Sequence, residues 1–151
     1  WGFDENLPRL AGKASEGVIG ATVAEFFGNE VKNMDVVVAY AKKYNPGVPL
    51  EKRLVRSIQA WANVLALWEA MNRADKAGDL TGPGILKKGF ETFQGYDIGL
   101  SVPPLTYTAT DHRIAGQVPI YEIKNGKFEL LELVDLKGSW PEKWANEWLG
   151  W

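Results

Sequence analysis

The sequence LEKRLVRSIQAWANVLALWEAMNRAD, residues 50–75, predicts a long buried helix around which the other elements are arranged. Its large apolar side chains recur at spacings of three and four residues, which is the period of one face of an α-helix. They are Leu54, Ile58, Trp61, Leu65 and Trp68. Only Gln59, Asn63 and Glu69 are polar between residues 58 and 71, so we expect this helix to be covered on most sides. Charged residues near both ends leave an apolar run that is shorter than the ~20 residues of a membrane span.

The segments before and after this helix predict an α/β protein. Residues 17–24, GVIGATVA, are apolar and partly β-branched between glycines, which indicates a buried strand. Residues 31–44 show the apolar spacing of a helix, and NPGVP at residues 45–49 predicts a turn. Residues 85–93 predict one more short helix. Because helices separate the predicted strands, the order favours a parallel sheet with antiparallel additions near the end.

The second half of the chain reads as extended structure followed by a short helix. Strands are predicted at residues 98–102, 105–108, 118–124 and 128–134. Asn125-Gly126 separates the last two and is a strong signal for a tight hairpin turn. Ser139, with Pro141 and Glu142 after it, matches a capping box that would begin the last helix.

Composition argues against several classes of function. The 151 residues, 46% hydrophobic and 24% charged, suit a single globular domain. Without cysteine the chain has no disulfide, no thiolate nucleophile and no cysteine-based zinc site. The net charge of −2, with scattered lysines and arginines, argues against nucleic acid as a partner. A single histidine, His112, argues against a multi-histidine metal site, so we expect neither a metal nor a cofactor.

Two groups of charged residues have side chains suited to a site. Asp111, His112 and Arg113 combine an acid, a base and a cation, but adjacent residues in a strand point to opposite faces. The alternative is that they fasten a loop through hydrogen bonds and a salt bridge. Arg53 and Arg56, at the start of the long helix, either clamp a carboxylate or are ordinary solvated side chains.

The tryptophans near the C-terminus form a third group. Trp140, Trp144 and Trp148 share one helical face, and Trp151 follows them. They are either a platform for a sugar ring or a face that packs on the rest of the protein. No pattern in the chain requires catalysis, and we predict that the protein is not an enzyme.

Three stretches, taken in order, carry a family resemblance. They are LAGKASEG at residues 10–17 with the apolar strand after it, AWANVLALWEAMNRAD at residues 60–75, and TYTATDHRIAGQVPIYEIKNGKFELL at residues 106–131. Together they resemble the C-terminal part of the type I periplasmic solute-binding proteins. More narrowly, they resemble the branched-chain amino acid (Leu/Ile/Val) receptor family of ABC transporters.

The resemblance implies two Rossmann-like lobes, each a parallel sheet flanked by helices, joined by crossover strands that act as a hinge. Residues 1–17 would end the C-terminal lobe, and residues 18–117 would form the C-terminal part of the N-terminal lobe. Residues 118–151 would supply a hinge strand, the hairpin and the Trp-rich tail on the C-terminal lobe. Since such proteins are well over twice this length, we expect an incomplete fold, a C-terminal fragment. Its exposed half-interface would favour a homodimer.

The same resemblance implies a function in transport. Family members bind a small solute in the cleft by hinge closure and deliver it to the permease of an ABC importer. The implied location is periplasmic or extracellular, associated with the cell envelope. The alternative is a ligand-sensing receptor or regulator domain of the same fold.

Among the residues present, the resemblance implies that Trp1, Phe26 and Arg56 contact the ligand. Arg56 occupies a position where the family has a cleft-facing aromatic residue, so the expected solute is an amino acid or a related organic or aromatic acid. Because most of the family's ligand contacts precede residue 1, we expect the 151-residue chain alone to bind solute weakly.

Overall fold

A computed structural model describes residues 2–101 and 103–148. The helices are α1 (Asn6–Ala11), α2 (Met34–Tyr44), α3 (Val55–Lys76), α4 (Gly82–Gly84), α5 (Leu136–Ser139) and α6 (Pro141–Asn146). The strands are β1 (Ile19–Ala21), β2 (Gln117–Lys124) and β3 (Lys127–Asp135). Short 3₁₀ turns lie at Gly12–Ser15, Leu50–Lys52 and Phe90–Thr92, and a π-helical turn at Ile85–Gly89 continues α4. Along the described ranges, no helix combines the length and apolar content needed to cross a bilayer.

Helix α3 is the long helix that the sequence predicts, and one of its faces forms part of the core. The buried side chains on that face are Val55, Ile58, Ala62, Ala66, Ala70 and Ala74. Alanines let the π-helical turn approach closely, and a Cβ added to Gly89 would lie 2.4 Å from the carbonyl oxygen of Ala70. The expectation of burial on most sides is wrong for the other apolar side, where Trp68 is 61% exposed. Val64, Leu67 and Met71 are exposed there too.

The sheet has three antiparallel strands, with β2 between β1 and β3. The hairpin between β2 and β3 turns at Asn125 and Gly126, whose φ angles of 52° and 71° match the predicted tight turn. The parallel pairing expected from the helix–strand order does not occur among the described residues, because β1 and β2 pass each other in opposite directions.

Among its described residues, the segment between α4 and β2 contains no regular strand, although the sequence predicts two there. Its extended backbone forms isolated bridges, which pair Ala24 with Ser101, Tyr96 with Leu105 and Thr108 with Asp111. The positive φ of Gly99, 74°, and the prolines after Val102 interrupt the run before a ladder can form. The extended residues nevertheless fill the core, where Ile98 is 1% exposed.

An aromatic cluster joins the hairpin to the segment that follows β1. Phe26 stacks on Phe128 with ring centroids 3.9 Å apart, and its edge meets Tyr121 at 5.2 Å. Phe3 packs edge-on against Phe128 at 5.1 Å. The chain before β1, the segment after it and the hairpin are therefore held together at one place.

The predicted capping box does not form, although the predicted last helix does. Ser139 ends α5, and α6 begins at Pro141 with Trp140 before it and no side-chain cap. Asp135 instead caps α5 by accepting a 2.8 Å hydrogen bond from the Gly138 amide. The sequence correctly predicted a helix that begins at a proline, but it did not predict the short helix α5 just before it.

Candidate functional site

The N-terminus of α3 is held by a glutamate that is distant in sequence. Glu5 accepts a hydrogen bond from the Val55 amide through Oε2 at 2.8 Å and from the Phe27 amide through Oε1 at 3.2 Å. A carboxylate at a helix N-terminus satisfies an unpaired amide and interacts favourably with the helix dipole. This contact fixes the residues before α1 against the start of α3.

A cavity of about 240 Å³ lies beside this contact. Its walls come from the N-terminal segment, the end of β1 with the residues after it, the first turn of α3 and the start of β2. The lining residues are Phe3, Asp4, Ala21, Thr22, Val23, Val55, Arg56, Gln59 and Val118. A guanidinium, a carboxylate and an apolar wall therefore meet where β1 and β2 approach α3.

Arg56 forms an ion pair across the cavity. Its Nη2 lies 3.2 Å from Oδ2 of Asp4, whose side chain is only 6% exposed, while the Arg56 side chain is 51% exposed. Asp4 also accepts a 2.9 Å hydrogen bond from the Asn6 amide through Oδ1. The buried partner holds the guanidinium in place at an open wall, which is a suitable arrangement for binding an anionic group.

The structure places the three predicted ligand residues differently. Arg56 lines the cavity. Phe26 is 6% exposed and lies in the aromatic cluster, outside the residues that line this cavity, so its role as a ligand contact stays a prediction. Trp1 lies outside the described residues.

Asp4 is the site residue that sequence reasoning missed. Its position just before α1 favours a turn that leads into the helix, and its contact with the amide of Asn6, the first residue of α1, forms such a turn. Its second oxygen faces Arg56, which is 52 residues away in sequence. No local pattern reports a pairing over that separation.

Arg53, the other arginine of the predicted pair, has a structural role. Its Nη2 donates to the carbonyl oxygens of Ala41, Asn45 and Val48 at 3.1, 2.6 and 3.0 Å. These bonds fasten the C-terminal end of α2 and the turn that follows. Of the predicted pair, Arg53 therefore supports the fold and Arg56 lines the cavity.

The Asp111-His112-Arg113 group fastens the C-terminal tail. Asp111 accepts bonds from Arg113 Nε at 2.7 Å and from Trp144 Nε1 at 2.9 Å. Burial would raise the pKa of Asp111, but the hydrogen bonds from Arg113 and Trp144 outweigh it and hold that pKa well below its usual range. His112 Nε2 lies 3.3 Å from Glu91 Oε1, away from this network. The loop-fastening interpretation agrees with these contacts.

The tryptophan face is partly a packing surface. Trp144 is 8% exposed and lies under the Arg113 guanidinium, 4.1 Å from its ring centroid. Trp140 and Trp148 are more exposed, with ring centroids 6.0 Å apart and 59° between the ring planes. Trp151 lies outside the described residues. Within the described part of the chain, no cluster of acidic or histidine side chains is arranged to hold a metal ion.

We predict that Glu5→Gln will lower the free energy of unfolding by about 1–2 kcal/mol. Glutamine has a single acceptor oxygen, so one of the Val55 and Phe27 amides loses its partner. Urea denaturation followed by circular dichroism measures the change. Glu30→Gln is the control, since Glu30 is exposed and its side chain has no contact like that of Glu5. Equal stability of the two variants would contradict the capping role.

Comparison with known proteins identifies the fold. No family model and no curated protein sequence matches the chain. Among solved structures, it is similar to one described as a branched-chain amino acid ABC transporter from Thermus thermophilus with bound valine, with a TM-score of 0.75 and 20% identity. It is also similar to an ABC transporter substrate-binding protein from Aeropyrum pernix, with a TM-score of 0.67 and 24% identity.

These similarities confirm, at the level of fold, the resemblance to the type I solute-binding proteins. They cover 91% and 90% of this chain but only 39% and 36% of the two solved chains. The chain therefore carries part of that α/β fold and spans well under half the length of the structures it matches.

Proposed function

We propose that this chain is part of the extracellular solute-binding component of an ABC importer and binds a small amino acid or a related organic or aromatic acid. The neighbouring structures are ABC transporter binding proteins, which supports a solute-binding role. The proposed partners are the solute and the transporter permease, and the proposed location is periplasmic or extracellular.

The observation that carries the proposal is the placement of Arg56 in the cavity. The cavity lies where β1 and β2 approach α3. The buried carboxylate of Asp4 anchors the guanidinium of Arg56 there. An arginine can hold a ligand carboxylate with paired N–H donors while keeping a bond to a second acceptor. The ammonium of an amino acid would find its counter-charge in Asp4.

The proposal of hinge closure rests on the assignment of the two charged site residues to different lobes. In the proposed lobe assignment, Asp4 belongs to residues 1–17 and Arg56 to residues 18–117, so the ion pair joins two lobes. A ligand that contacts both side chains stabilises the arrangement in which they are close together. The permease would then recognise the closed arrangement.

We predict that Arg56→Gln will weaken binding of the carboxylate ligand by roughly 10–100-fold in the two-lobed protein, because a charge-assisted hydrogen bond contributes about 1.5–3 kcal/mol. A thermal-shift screen with valine, leucine, succinate and benzoate selects the ligand, and calorimetry measures its affinity. Arg56→Lys keeps the charge but loses the paired N–H donors, so its affinity for the ligand should fall between those of the wild type and Arg56→Gln.

Lys52→Gln is the matched control, since it removes one positive charge just before α3 from an exposed position. It should leave the affinity within about twofold. If the affinity of Arg56→Gln also stays within about twofold of the wild type, Arg56 does not bind the ligand carboxylate. If none of the four compounds raises the melting temperature, the proposed solute class is wrong.

A further inference from the structure

Gln59 is a polar residue of the cavity of about 240 Å³ that Arg56 lines (the Arg56 cavity), and the proposed carboxylate contact does not use it. It lies three residues after Arg56 on α3, and both side chains line the cavity. Residues three apart on a helix are neighbours, with Cβ atoms about 5–6 Å apart. A ligand whose carboxylate is held by Arg56 therefore brings its next polar group within reach of Gln59.

The other polar side chains that line this cavity have partners within the protein. Asp4 pairs with Arg56 at 3.2 Å. The Thr22 hydroxyl donates to the carbonyl oxygen of Ala24 and accepts from the Ala24 amide, both at 3.4 Å. Nothing in the part of the chain that the structure describes forms a hydrogen bond with the side-chain amide of Gln59, which is partly exposed. Its two N–H donors and its acceptor oxygen can therefore bind a ligand group.

The charges of the cavity favour a neutral polar group beside Gln59. Among the described lining residues Arg56 is the single cation, and the buried carboxylate of Asp4 pairs with it. A second carboxylate on the ligand would therefore meet no cation of its own there. An apolar group would displace water from the Gln59 amide without replacing its hydrogen bonds. A carboxamide both donates and accepts, so it can form two parallel hydrogen bonds with the Gln59 amide.

We propose that Gln59 is a specificity-determining residue that binds a carboxamide group of the ligand, so that the preferred solute is an amino acid with a short carboxamide side chain. This inference rests on the proposed function, because it takes the ligand carboxylate to lie on Arg56. Asparagine has this chemistry, since its carboxamide carbon is three bonds from its carboxylate carbon. A protein cavity of about 150 Å³ is large enough to hold benzene, so the larger Arg56 cavity has room for a molecule of this size.

The test is calorimetry of the two-lobed protein with asparagine, leucine and aspartate, which have nearly the same shape and differ in the two terminal atoms of the side chain. We expect asparagine to bind at least about fivefold more tightly than either of the others. Gln59→Met keeps the length and the helix preference of the side chain but removes its hydrogen-bonding groups. The advantage of asparagine over leucine should therefore fall to about twofold or less in this variant.

Asn63→Met is the matched control. Asn63 is an exposed amide one turn further along α3, outside the lining of the Arg56 cavity, so its replacement should leave the three affinities unchanged. Circular dichroism verifies that each variant is folded, and Gln59→Ala takes the place of Gln59→Met if the latter does not fold.

Each outcome decides for or against the role of Gln59. If asparagine binds no more tightly than leucine or aspartate, or if Gln59→Met keeps the advantage of asparagine, the proposal is wrong. Loss of the advantage in Asn63→Met would also overturn it, because that amide lies outside the cavity lining. Arg56→Gln should weaken binding of all three compounds by a similar factor. If it does so while asparagine has no advantage, only the role of Gln59 is refuted; if none of the three compounds binds, the proposed function fails with it.

Discussion

Replacing Gly89 with alanine is expected to lower the free energy of unfolding by about 3 kcal/mol, at the upper end of the usual cost of overpacking. The new Cβ would lie 2.4 Å from the Ala70 carbonyl oxygen and 2.8 Å from its carbonyl carbon. Both are backbone atoms of α3, so neither can rotate away, and the helix and the π-helical turn must separate. For a chain of this size the melting temperature should fall by roughly 6–12 °C.

Gly47→Ala is the matched control for this prediction. Gly47 lies in the turn between α2 and α3, its φ is outside the left-handed region, and a Cβ added there meets nothing within 4 Å. Alanine restricts the unfolded chain more than glycine does, so this variant should be neutral or more stable by up to ~1 kcal/mol. Urea denaturation curves of the two variants provide the measurement. If Gly89→Ala were as stable as Gly47→Ala, the close packing of the turn on Ala70 would be refuted.

The sequence predicted the elements that depend on local signals. The period of α3 and the Asn125-Gly126 turn each determine backbone geometry over a few residues, and each appears as expected. The prediction of strands at residues 98–102 and 105–108 failed because apolar residues there enter the core without a partner strand. Ile98, Leu100 and Leu105 are buried as the side chains of a strand would be, so composition could not separate the two cases.

The candidate site was less predictable because its contacts join distant parts of the chain. The sequence indicated Arg56 as one of two possible carboxylate clamps and as a departure from a family pattern, but nothing near Asp4 indicates its pairing with that arginine. Apolar periodicity identified the helix, but it overstated the burial of Trp68, since the period does not report which faces are covered.

Asp111→Ala is expected to release the C-terminal tail and to lower the free energy of unfolding by about 2–3 kcal/mol, because it removes the acceptor of the hydrogen bonds from Arg113 and Trp144 and the partner of a partly buried cation. Arg113 donates to the Trp148 carbonyl oxygen at 2.7 Å and to that of Trp144, so Asp111 holds the side chain that anchors α6. Tryptophan fluorescence follows undocking as Trp144 becomes solvated. Asp75→Ala removes an exposed carboxylate and should cost less than about 0.5 kcal/mol.

The same carboxyl group gives the tail a defined response to pH. Since the folded protein lowers the pKa of Asp111, its stabilisation is fully present above the unfolded value of about 3.9 and is lost as the pH falls through lower values. We therefore expect Trp144 emission in the wild type to change only below about pH 4 and ahead of global unfolding. In Asp111→Asn the group does not titrate, so this acid transition should vanish. An unchanged transition in Asp111→Asn would assign the acid sensitivity to other carboxylates and refute the anchoring role.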